Sequence, residues 1–116
     1  MQINMPSSPV RVDAGDVVFT LEDQGGAHVS ITLYVQGSPP IEHDESFQGA
    51  RETTLHLDAG TYACKILIAA FKYGALNRHY ETTIHANGTV IASAAGDVAG
   101  TEDSDIGWVK FNVIAA

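Results

Sequence analysis

A chain of 116 residues with 45% hydrophobic and 17% charged side chains has the size and apolar content of one globular domain, able to bury about two thirds of its unfolded surface. Fourteen acidic against six basic residues leave a formal charge of -8, which argues against nucleic acid and anionic membrane surfaces as partners, since both are bound largely through neutralised phosphate charge. The longest apolar run, Ile66 to Phe71, falls far short of the ~20 residues that a helix needs to cross a bilayer.

The opening stretch, MQINMPSSPV, has neither the basic region nor the apolar region of a secretory leader. Pro6, Ser7, Ser8 and Pro9 favour extended backbone with little to anchor it, so residues 1–9 are expected as a flexible tail and residues 10–116 as a single domain. Cys64 is the only cysteine and can form no internal disulfide. That fits a reducing compartment, and the cytoplasm is the expected location, with secretion after removal of a leader as the alternative.

From Gly15, Val17, Phe19 and Leu21 fall on one face at the period of two that a half-buried strand requires. The run HVSITLYV then sets Val29, Ile31, Leu33 and Val35 on one face and His28, Ser30, Thr32 and Tyr34 on the other. Residues 37–52 contain Pro39 and Pro40 and the carboxylates of Glu42, Asp44 and Glu45, which predicts a long surface loop, or a loop with a short edge strand.

TTLHLD follows as a strand with Leu55 and Leu57 inward, and Gly60 opens a corner. From Thr61 to Tyr73 the pattern fits two periods: Ile66, Leu67, Ala70 and Phe71 would share a helix face, while Tyr62, Cys64, Ile66 and Ile68 alternate as in a strand. The strands on either side favour the sheet. HYETTIHANGTVIAS predicts a hairpin closed by Asn87 and Gly88, residue types that accept the positive φ of a type I′ turn, with Tyr80, Thr82 and Ile84 on one face. A small acidic loop, AAGDVAGTEDSDIG, precedes a last strand with Val109, Phe111 and Val113 inward. The sum is an all-β chain, an antiparallel β-sandwich of seven or eight strands.

Asp58, Gly60, Tyr62 and Cys64 stand at the spacing of the Asp-x-Gly-x-Tyr-x-Cys corner of immunoglobulin variable domains. The chain departs from that pattern elsewhere: no earlier cysteine can pair with Cys64, Trp108 comes too late, and residues 65–116 leave room for three further strands. The run Leu57-Asp58-Ala59-Gly60-Thr61-Tyr62 more broadly resembles the corners of bacterial Ig-like or transthyretin-like sandwich modules. That resemblance implies a scaffold in which the Tyr62 hydroxyl folds back onto an upstream backbone group, and a fold of such breadth implies no particular function.

Asp97, Glu102, Asp103 and Asp105 cluster carboxylates among small residues, a donor set suited to calcium, although a solvated acidic loop explains it equally. Ile41 to Glu45 form a second acidic patch containing His43. His79 with Glu81, helped by His56, is a possible transition-metal pair; His85 lies ~20 Å from His79 along an extended strand and cannot share the ion. Cys64 reads as a small buried hydrophobe, and Asn87-Gly88-Thr89 as a turn that also matches the glycosylation pattern. Nucleophile-elbow, phosphate-loop, dinucleotide and His-Glu-x-x-His motifs are missing from the sequence.

These observations lead to a non-catalytic binding module that presents loops 37–52 and 96–107 to a protein or glycan partner, with Tyr34, Phe47, Tyr73 and Trp108 as aromatic contacts. No cofactor beyond a calcium ion is expected. The alternatives are a structural or assembly subunit that self-associates through edge strands, and a small hydrolase with a carboxylate pair.

Overall fold

A computed structural model describes residues 1–38, 42–48, 51–71 and 78–115, with the backbone alone for 38, 42–48 and 51. Alternation of apolar and polar side chains is realised along most of the chain. In β2 (Gly15–Gly25), Val17, Phe19 and Leu21 are fully buried, and in β3 (His28–Ser38) Val29, Ile31, Leu33 and Val35 are. Together with β1 (Val10–Asp13), β4 (Glu42–Gln48), β5 (Arg51–Leu57), β6 (Gly60–Phe71), β7 (His79–Ala86), β8 (Thr89–Asp97) and β9 (Glu102–Ile114) they make nine strands among the described residues.

The strands form a five-stranded sheet in the order β1-β9-β6-β3-β4 and a four-stranded sheet in the order β5-β2-β7-β8. All neighbours are antiparallel except β1 and β9, which run parallel. The chain is therefore a β-sandwich, as the alternation predicts. The inner faces meet in one core, where Phe19 of one sheet and Phe111 of the other pack edge to face with ring centres 6.0 Å apart.

The two-period stretch resolves as strand. β6 is hydrogen-bonded along its length to β9 and to β3. Its inner residues are buried and its outer ones half-buried, which is why its sequence is apolar at almost every position. The hairpin turn is also as predicted, with Asn87 at φ 48° and Gly88 at φ 81°. Asn87 additionally ties the turn to β2: its Oδ1 accepts from the Val18 N–H at 2.8 Å, and its N–H donates to the Val18 carbonyl at 2.9 Å. The register shifts between Ile84 and His85 of β7, which leaves Ile91 as an extra residue in β8, and both Ile91 and Ala92 are buried.

Four expectations change. Residues 37–52 are not one loop, because β4 pairs with β3 from Gln36↔Glu42 to Ser30↔Gln48 as the edge strand that the prolines allowed; Pro39, Pro40 and Ile41 lie outside the described residues. The acidic loop contracts to residues 98–101, since β8 continues to Asp97 and β9 begins at Glu102, in register with Phe71. The stretch expected as a tail is partly seated: Ile3 is buried in the core and Asn4 bridges to Ser93. An extra first strand, β1, follows it and pairs parallel with β9, so the strands number nine among the described residues rather than the seven or eight expected.

Candidate functional site

The corner at residues 58–62 is built as the resemblance implied. The Tyr62 hydroxyl donates to the Asp58 carbonyl at 2.7 Å, and the residue is almost fully buried. Burial and then the Asp58 charge push its pKa above the ordinary phenol value, so the hydroxyl stays a donor across physiological pH. Its role is to pin the β5–β6 connection.

The outer side of the five-stranded sheet carries the exposed side chains of Trp108 and Ile106. Inward Cys64 and Val109 place Lys65 and Trp108 outward, and the ladder sets them opposite each other, with Tyr34 opposite Lys65 on the far side. One row across the sheet therefore reads Trp108, Lys65, Tyr34. The next row reads Ile106, Leu67, Thr32. Lys65 Nζ lies over the Trp108 ring at 5.9 Å from its centre, a cation–π contact that holds both side chains in place. Between the rows an open depression of about 260 Å³ is lined by Thr32, Tyr34, Lys65 and Leu67. Trp108 and Ile106 are each 51% exposed, although they are among the most apolar side chains on this face.

Of the four aromatic residues expected to make contacts, Tyr34 and Trp108 are thus brought into one row, joined by Lys65. Phe47 stands in β4 at the register position opposite Ile31, off that row. Tyr73 lies outside the described residues. Lys65, Leu67 and Ile106 were missing from the expected set, because only the cross-strand register sets them beside Trp108.

The acidic residues take separate partners. Asp97 Oδ1 lies 3.3 Å from His79 Nδ1, Asp103 Oδ2 accepts from the Ala99 N–H at 3.2 Å, and Glu102 stands opposite Phe71. Asp105 accepts from the Ile3 N–H at 3.0 Å and the Ile106 N–H at 2.9 Å, and these backbone hydrogen bonds, that from Ile3 foremost, hold its carboxyl below the usual range. Among the described residues, no group of three or more His, Cys, Asp or Glu converges as a metal site. His79 sits between Asp97 and Glu81, whereas His56 sits between Asp16 and Asp58, in β5. Since β5 and β7 flank β2 on opposite sides, His56 and His79 do not meet.

Cys64 is fully buried and its thiol is pushed up to about 12 by burial, so it is kept protonated and unreactive. Burial also raises the Asp23 carboxyl, whose Oδ1 has no hydrogen-bond partner among the described residues, against a smaller opposing effect of His28.

No family model, curated protein or solved structure matches the chain. Among the described residues, no helix is long and apolar enough to cross a membrane.

Proposed function

We propose that the chain is a non-catalytic binding module that engages a protein partner through the outer face of its five-stranded sheet. The observation that carries this reading is the outward row Trp108, Lys65, Tyr34 beside Ile106 and Leu67, in which Trp108 and Ile106 are exposed and the other three are half-buried. Tryptophan and tyrosine supply large contact areas with few rotatable bonds, and apolar centres ringed by polar groups are where binding energy concentrates. The face is open and shallow, a shape suited to another protein surface rather than to an enclosed small molecule.

The scaffold reading is supported by the tyrosine corner and by β3, β6 and β9 forming one sheet that β4 extends, an arrangement similar to the CFG sheet of Ig-like domains with an added strand. The β7–β8 hairpin, which lies between β6 and β9 in sequence yet joins the other sheet, departs from it.

The test uses immobilised wild-type, Trp108→Ala and Lys65→Ala chains. A partner retained by the wild type and lost from both variants, with melting temperatures unchanged, supports the reading. Equal capture by all three chains counts against it. Binding on a glycan array that Trp108→Ala abolishes would transfer the site to a carbohydrate ligand, with Trp108 as its stacking platform.

A further inference from the structure

The segment Met1–Met5 occupies the gap between β8 and β9. Asn4 exchanges two backbone hydrogen bonds with Ser93, at 2.8 and 2.9 Å, and the Ile3 N–H donates to Asp105. Ile3 is 6% exposed, while Gln2 and Asn4 face solvent, so the segment has the alternation of a short strand. Its seat is shaped by a missing side chain in β9. A Cβ on Gly107 would collide with the Met5 Sδ and would lie 3.6 Å from Ile3 Cγ2.

Residues 6–9, two prolines and two serines, are all exposed, and the chain rejoins the sheet only at Val10, opposite Phe111. The seated arm is thus tied to the body by a solvent-facing hinge. Ile3 cannot leave its seat without exposing an apolar side chain and emptying the space over Gly107, so a vacated seat demands an equivalent strand. A second copy carries that strand, and the Asn4–Ser93 and Ile3–Asp105 hydrogen bonds and the packing over Gly107 are reproduced when the arm comes from it. The balance then rests on the hinge and on the entropy of association. Proline favours extended hinge backbone, which projects an arm away from its own body.

We infer that Met1–Met5 is an exchangeable strand, and that the gap between β8 and β9 is a docking site for the same segment of a second copy, yielding a reciprocal arm-swapped dimer. This site is separate from the Trp108 face. The charge of -8 on each copy opposes association, so exchange rises with ionic strength.

Asn4 and Ser93 are paired directly across an antiparallel bridge, a separation that a disulfide can span. Buried Cys64 does not compete. Full-length Asn4→Cys and Ser93→Cys chains are mixed in a glutathione redox buffer over a series of protein and salt concentrations. The expected product is a covalent dimer joining the two variants, about tenfold or more in excess of like-with-like dimers because docking raises the local thiol concentration, and increasing with salt. A mixed product no more abundant than chance pairing overturns the inference. A second measurement needs no cysteine: deleting Ser7 and Ser8 cuts the hinge to Pro6 and Pro9, which strains the return of an arm to its own seat and leaves exchange with a second copy open. Light scattering then shows a dimer if arms exchange, and a monomer at every concentration overturns the inference.

Discussion

The ring of Tyr62 lies across Gly37, its direct neighbour on β3, and the missing side chain there is what lets the ring lie flat enough to reach Asp58. A Cβ at Gly37 would stand 2.8 Å from Tyr62 Cγ and 2.6 Å from the Thr61 carbonyl oxygen. Gly37→Ala is therefore expected to lower stability by about 1–3 kcal/mol through overpacking. Tyr62→Phe keeps the ring, loses the hydrogen bond and is expected to lose roughly 0.5–1.5 kcal/mol. Urea titration of both variants checks the order.

The contact between Phe19 and Phe111 joins the two sheets at the centre of the core. Either residue changed to alanine is expected to destabilise by about 3–5 kcal/mol, the range for emptying an aromatic site. A double-mutant cycle should return a coupling of about 0.5–1.5 kcal/mol. Additive losses would show that the rings pack independently.

Asp105 is held ionised by the N–H groups of Ile3 and Ile106, so its carboxyl titrates lower in the folded chain than in the unfolded one. The stability this contributes is complete above the ordinary carboxylate value of about 3.9 and is lost as pH falls through the depressed folded value. Asp105→Asn should consequently differ most from wild type near neutrality and converge with it in acid. Amide exchange at Ile3, slow in the wild type at neutral pH and faster in the variant, reports the same event locally.

Cys64, with its thiol raised to about 12, should resist thiol reagents at pH 8 in the native state and react at once in denaturant. Comparing labelling with and without guanidinium tests this. Rapid native labelling would mean that the β6 strand opens readily.

The turn at Asn87 and Gly88 depends on positive φ at both positions. Gly88→Ala is expected to lose roughly 1 kcal/mol from backbone strain alone. Asn87→Ala should lose at least as much, since it also leaves the Val18 N–H without its side-chain acceptor. Thermal melts of the two variants provide the comparison.

What could be read from the sequence was whatever a strand encodes in its own period. Val29 to Val35 and Val109 to Val113 alternate, and they are buried as their alternation requires. Glu102 to Gly107 carry no such signal. Apart from Ile106 they are small or acidic, they extend along the apolar end of β6, and their conformation comes from that partner strand. Ile3 and Met5 are two isolated apolar residues among polar ones, and their seat is formed by Gly107, a residue distant in sequence. The Trp108 and Lys65 pair was hidden for the same reason: its members belong to different strands, and only the ladder makes them neighbours.

The place of β9 between β1 and β6 bears on how the protein is made. The last strand in chain order supplies an interior plank of the sheet, so during synthesis the earlier strands emerge from the ribosome with a gap that only Glu102–Ile114 can fill. Until then the side edge of β6, rich in isoleucine and alanine, stays open to whatever else can pair with it. The interval between translating Phe71 and releasing Ile114 is thus the period of greatest exposure to mispairing, and slow elongation there would favour aggregation over folding.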